Sequence, residues 1–103
     1  MTQENMTVDV LVVGTGASGM ATAVTAASHG LKVLVVEKEA KFGGTTARSG
    51  GWLWIPGTRL AKDQGIHEPA GAAKAYLKHE TTTHFDEKRI DAFLENGPKA
   101  IDF

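Results

Sequence analysis

The densest chemical signal lies near the start of the chain, in Gly14-Thr15-Gly16-Ala17-Ser18-Gly19. In a Gly-x-Gly-x-x-Gly spacing the first glycine permits a tight turn and the second lets backbone approach a pyrophosphate. The third lets a helix pack close to the preceding strand. A helix starting there adds unpaired N–H groups and a partial positive charge for phosphates. Glu37 follows Gly19 by 18 residues. A carboxylate at that position accepts hydrogen bonds from ribose hydroxyls and repels a 2′-phosphate. The combination predicts a dinucleotide site.

A second glycine-rich stretch narrows the choice of dinucleotide. Gly43-Gly44-Thr45-Thr46 begins six residues after Glu37, and Gly50-Gly51 comes soon after. Such a segment can lay N–H groups and threonine hydroxyls along a pyrophosphate, a ribityl chain and a flavin ring. That suits FAD in an extended form, whereas a nicotinamide domain needs nothing special there. The bland alternative is a glycine-rich surface loop. Arg48 can neutralise a phosphate or pair with a surface carboxylate. Trp52 and Trp54 can pack beside a flavin or substrate, although aromatic residues after a tight loop more often join a core. His79-Glu80-Thr81-Thr82-Thr83-His84 has one residue too many for a helical zinc motif, so no metal site is assigned. His29 and His67 read as solvated element ends, and Tyr76 as part of an apolar stripe.

The elements that must position these residues follow from the apolar pattern. Val8 to Val13 is β-branched and nearly continuously apolar, as in a buried parallel strand. Met20 to Ser28 has helical spacing, and His29-Gly30 ends it. Leu31 to Val36 is a second strand that closes on Glu37, which completes a βαβ unit. Glu37 to Gly57 reads as an ordered loop, with room for a helical turn at Thr45 to Ser49. Leu60 to His67 is a short polar helix or loop. Pro69 suits a first helical position, with a stripe of Ala72, Ala73, Tyr76 and Leu77 reaching about Glu80. Thr81 to Thr83 interrupt it. Asp86 can cap a second helix that ends at Asn96-Gly97, after which Pro98 opens a third.

Composition sets the outer limits. The chain has 103 residues, 42% of them hydrophobic and 22% charged, with a formal net charge of -1. That is a globular composition with no electrostatic grip on nucleic acid or anionic lipid. It has no cysteine, which excludes disulfides, cysteine-ligated clusters and a thiol nucleophile within these residues. Met1 to Thr7 lacks the basic and apolar regions of a secretory signal, and Val8 to Val13 is too short to span a bilayer. The expectation is a cytoplasmic protein with no membrane span.

Three stretches together carry a family resemblance. Asp9 to Gly19, then Val36-Glu37-Lys38, then Phe42 to Gly51 resemble the FAD-binding start of the fumarate reductase/succinate dehydrogenase flavoprotein superfamily. Within it, Gly44 to Gly51 with Trp54-Ile55-Pro56 is most similar to the 3-ketosteroid dehydrogenase branch. The resemblance implies that Gly14, Gly16, Ala17, Ser18 and Gly19 hold the diphosphate, and that Glu37, with Lys38 beside it, meets the adenosine ribose. It places Gly43, Gly44, Thr45 and Thr46 along the middle of FAD, and Ser49, Gly50 and Gly51 beside the isoalloxazine. Succinate dehydrogenases attach FAD to a histidine six residues before the second glycine pair. That position is Gly44 here, which implies non-covalent FAD.

The implied fold class is α/β, the N-terminal part of a Rossmann-like FAD-binding domain. Residues 8–37 form the βαβ unit, 38–57 the flavin loop and 69–103 a helical segment. Two strands cannot cover both faces of a parallel sheet, so the domain reads as incomplete, with no substrate domain present. The implied activity is FAD-dependent hydride transfer at a carbon–carbon bond activated by a neighbouring carbonyl. A small-molecule substrate, steroid-like or an unsaturated acid, and an unidentified electron partner go with it. The family's catalytic residues would fall beyond Phe103, so none is assigned, and the fragment alone should be inactive. The alternatives are a fumarate- or urocanate-type reductase, an NAD-binding dehydrogenase domain, and a non-catalytic nucleotide-binding module.

Overall fold

The computed structural model describes residues 5–103. They fall into two compact units, the first ending at Trp52 and the second running Leu53–Phe103.

In the first unit, β1 (Val10–Val13) and β2 (Val33–Val36) pair in parallel, with Val10 opposite Val33 and Val13 opposite Val36. Between them runs α1 (Ala17–Ser28). Both strands are shorter than the apolar runs predicted, for local reasons. Asp9 accepts the Lys32 N–H at 2.7 Å through Oδ2, so it closes the start of β1 and does not continue it. Leu31 belongs to the helix end: its N–H bonds the Ala26 carbonyl at 3.2 Å, and that of Gly30 bonds Ala27 at 2.9 Å. Gly30 has φ +81, which completes the left-handed helix stop expected there. Val12 and Ala23 are buried, whereas Leu11 and Val13 remain largely exposed.

The glycine turn after β1 is fixed by close backbone approach. The Gly14 N–H extends the ladder to the Val36 carbonyl at 2.8 Å, with φ +101. A Cβ on Gly19 would lie 2.1 Å from the Gly14 carbonyl oxygen and 3.5 Å from Val12 Cγ1. Only glycine brings α1 that near to β1. After β2 comes a 3-10 turn, Gly44–Arg48, close to the helical turn anticipated at Thr45 to Ser49.

The second unit is helical. Thr58 caps α2 (Arg59–Asp63) by accepting the Ala61 N–H at 3.2 Å, and Gly65, at φ +79, stops it in the same way as Gly30 stops α1. α3 (Ala72–Thr81) begins later than expected. Pro69 does not occupy its first position, because a turn intervenes in which the Pro69 carbonyl accepts from Ala72 and Gly71 takes φ +78. Thr82–His84 form a 3-10 turn, and Asp86 caps α4 (Glu87–Asp102) through the Arg89 N–H at 3.1 Å.

α4 corrects the predicted break at Asn96-Gly97. It is one helix with Pro98 inside it. Proline deprives the Leu94 carbonyl of its helical donor, yet the helix carries on for another turn. Gly97 serves packing here: its missing Cβ would stand 2.9 Å from Ile55 Cγ2. Trp54 fills the neighbouring space, with ring centroids 5.6 Å from Tyr76 and 6.2 Å from Phe93. Lys74 on α3 ties α4 by reaching Asp91 at 2.7 Å and Glu87 at 3.0 Å. Among the described residues, no helix is long and apolar enough to cross a membrane.

Candidate functional site

The candidate residues meet in the first unit, where the glycine turn faces the segment after β2. Two hydrogen bonds join them, one on either side of Gly16. On one side Thr15 Oγ1 accepts the Gly43 N–H at 2.8 Å. On the other, Thr46 Oγ1 accepts the Ala17 N–H at 3.0 Å. Between them the backbones come close: a Cβ on Gly44 would lie 3.3 Å from Gly16 Cα. Gly43 and Gly44 have φ of +116 and +56, which side chains resist, so the segment's first glycine pair is required by geometry.

This arrangement leaves an anion-binding end. Gly16, before α1, offers no side chain to cap it, Thr46 takes only the Ala17 N–H, and the first turn has no acidic residue. Its first intrahelical bond is made by Met20 to the Gly16 carbonyl, at 3.0 Å. The N–H groups of Ser18 and Gly19 precede that bond and face outward from the helix end. Ala17, predicted alongside them, already spends its N–H on Thr46. That pairing of two predicted cofactor residues with one another was not visible in the sequence.

Glu37 stands at the end of β2, as predicted, but its carboxylate is turned toward the glycine turn. Oε2 accepts the Thr15 N–H at 3.0 Å and also the Thr15 hydroxyl, while Oε1 accepts the Glu39 N–H at 3.1 Å. The Thr15 hydroxyl, and after it the Glu39 N–H, hold the Glu37 carboxyl below the usual carboxylate range. It is ionised at neutral pH. Beside it a broad cavity of about 920 Å³ is lined by residues that include Lys38, Lys41, Thr45 and Arg48. Three cations against Glu37 and Glu39 leave a net positive rim, which suits a phosphate.

The remaining predicted residues lie along the same segment. Lys38 is exposed and pairs with Glu39 at 3.8 Å. Ser49 hydrogen-bonds the Thr46 carbonyl at 2.8 Å and accepts the Gly51 N–H at 3.2 Å, so it extends the 3-10 turn into the second glycine pair. Gly51 takes φ +80, and a Cβ on Gly50 would meet Trp52 Cδ1 at 3.3 Å. Trp52 is 93% exposed and joins no core, contrary to the packing expected of it. Trp54 does pack, against Tyr76 and Phe93. Thr15, 6% exposed, is the residue the sequence reading passed over. The available signal was its place between two glycines, where a lone hydroxyl is left to face whatever the turn meets.

A positive-φ turn open to approach and a helix end whose Ser18 and Gly19 N–H groups precede the helical ladder fit the diphosphate of a dinucleotide. Comparison with known proteins agrees. Residues 9–103 match the family described as FAD binding domain. Over 95 residues the chain is 45% identical to a 3-oxosteroid 1-dehydrogenase of Mycobacterium tuberculosis, covering 92% of this chain and 17% of that protein. It is 46% identical over 103 residues to a 4-oxocyclohex-2-ene-1-carboxylate 5-dehydrogenase of Sinomonas cyclohexanicum, covering 98% of this chain and 17% of the relative. Among solved structures, the 3-ketosteroid delta1-dehydrogenase of Sterolibacterium denitrificans, in complex with 1,4-androstadiene-3,17-dione, superposes with a TM-score of 0.79. The identity there is 43%, covering 92% of this chain and 16% of that one. The chain thus spans about a sixth of the length of the proteins it matches.

Proposed function

The chain belongs to the FAD binding domain family, and from that premise we propose that the intact protein is an FAD-dependent dehydrogenase acting on a ring ketone. The observation that carries the cofactor half of this reading is the pair of clasps about Gly16, which sets the glycine turn against the 43–46 segment. The substrate half leans on the relatives, since both named dehydrogenases act on compounds with a ketone in a six-membered ring.

Bound FAD would supply a two-electron acceptor for hydride. The roles proposed for this chain are those of seating it. Gly14, Gly16, Ser18 and Gly19 meet the diphosphate with backbone and helix end, and Glu37 meets the adenosine ribose. Gly43, Gly44, Thr45 and Thr46 run along the middle of the cofactor, and Ser49, Gly50 and Gly51 lie toward its ring. The position where succinate dehydrogenases carry the histidine that attaches FAD is Gly44 here, which supports a non-covalent cofactor. In the substrate, a C–H beside the ketone is acidified; its proton leaves to a base and hydride leaves from the adjacent carbon, which creates the new double bond. None of the residues 9–103 is assigned to that proton.

The test uses the intact protein. FAD titration should give stoichiometric binding that denaturation releases, and a saturated 3-ketosteroid added without oxygen should bleach the oxidised flavin band. Bleaching by no ring ketone, with reoxidation of the reduced protein by fumarate, would move the protein to the reductase reading. Absence of FAD binding would remove the proposal altogether.

A further inference from the structure

We infer that Thr15 is the positioning residue of this cofactor site. Its buried hydroxyl orients Glu37 for a ribose hydroxyl and, through the same oxygen, fixes the start of the segment that runs along the middle of FAD. The inference rests on the FAD reading above.

A threonine hydroxyl has one hydrogen to give and lone pairs to receive. The Gly43 N–H can only donate, so Thr15 Oγ1 accepts there, at 2.8 Å. Its single hydrogen is then committed to Glu37 Oε2, which also takes the Thr15 N–H at 3.0 Å. The relay has one direction, from Gly43 through Thr15 to a carboxylate. A carboxylate has about four accepting sites. Oε2 uses two of them and Oε1 one, on the Glu39 N–H. One site remains, on Oε1, the oxygen that Thr15 does not hold. A ribose hydroxyl thus meets a carboxylate already ionised and held in one orientation by Thr15.

Few other charges intervene. β1 and α1 bring no ionisable side chain to Glu37. The segment that follows β2 brings Lys38, Glu39, Lys41 and Arg48 to the same cavity, with Lys38 and Glu39 paired to each other. The Glu37 carboxyl, held low chiefly by the Thr15 hydroxyl, keeps its ribose contact down to a pH below the ordinary carboxylate range. The contact is lost as pH falls through that lowered value.

The experiment measures the FAD dissociation constant of the intact protein by flavin fluorescence from neutral to acid pH, with Thr15→Val, Thr15→Ser and Glu37→Gln beside the unaltered chain. Valine keeps the shape and removes the hydroxyl. Thr15→Val should weaken FAD binding by about tenfold at neutral pH, the loss of a hydrogen bond to a charged group. It should also move the acid limb of affinity to higher pH. Thr15→Ser should restore both, and Glu37→Gln should have no acid limb at all. A Thr15→Val protein with unaltered affinity, or one weakened equally at every pH, would overturn the inference while leaving the FAD reading intact. An acid limb that persists in Glu37→Gln would overturn it even if Thr15→Val failed to fold. An unaltered chain that binds no FAD would instead defeat the reading beneath.

Discussion

In the first unit the parts that meet are mostly backbone, whereas in the second they are side chains. Gly19 lies against Gly14, Gly44 against Gly16, and the bonds that join them run from N–H groups to two threonine hydroxyls. Trp54, Tyr76 and Phe93 fill the second unit, and Lys74 fastens it from outside. The first kind of contact tolerates almost no added atom, because backbone cannot turn aside. The second can repack, at a cost that depends on the neighbour. A ligand site that reads phosphates through N–H groups needs the first kind, and a scaffold can use the second.

The sharpest way to break this contrast is Gly19→Ala. The new methyl would sit 2.1 Å from a carbonyl oxygen on the backbone, so α1 must move off β1. Overpacking of that kind costs about 3 kcal/mol. The expected result in the intact protein is loss of bound flavin together with a clear fall in melting temperature. Full flavin content with an unchanged melt would show that the turn is softer than its geometry.

Gly97→Ala is the matching test in the second unit, and its effect should be smaller. Alanine gains helix propensity of about 1 kcal/mol, but its methyl would stand 2.9 Å from Ile55 Cγ2. Ile55 is β-branched and stiff, so the overlap should outweigh the gain and leave a net loss of about 1 kcal/mol. On an Ile55→Ala background the same change should become stabilising. Chemical denaturation of the four proteins closes the cycle, and additive effects would mean that Ile55 is not what the missing Cβ of Gly97 makes room for.

The smallest effect is expected of Lys74→Met. Asp91 first, then Glu87, hold the Lys74 amine above the ordinary lysine range. Its stabilisation is therefore full below that range and fades as pH rises through the raised value. Thermal melts should show the variant slightly less stable at neutral pH, with the gap closing at strongly alkaline pH. A gap that stayed constant would assign the loss to packing of the lysine stem instead of its charge.

How much of this was legible in the sequence depended on what each signal encodes. The βαβ unit was readable because β-branched runs and a glycine turn have steric causes that act locally. The ends of the strands were not, because Asp9 is claimed by Lys32, just before β2, and Leu31 by the end of α1. Gly97-Pro98 looked like a stop, and in isolation it would be one. Ile55, distant in sequence, turns the missing Cβ into a packing notch, and the helix runs through. At the site, glycine spacing and Glu37 were legible as types of chemistry. Their hydrogen-bond partners were not. That Ala17 would pair with Thr46, or Thr15 with both Gly43 and Glu37, depends on a fold that brings residues 22 to 29 apart into contact.

The two bonds on either side of Gly16 advance together along both segments: Thr15 meets Gly43, and two residues on Ala17 meets Thr46. Once either one holds, the other adds little further loop-closure cost, since the ends it joins lie only two and three residues from the first pair. Their joint effect is mechanical. A single bond is a pivot about which the 43–46 segment could rotate in any direction, and two bonds separated by one residue on the glycine turn leave only the axis that joins them. Removing either one would give the segment back a rotation without setting it free.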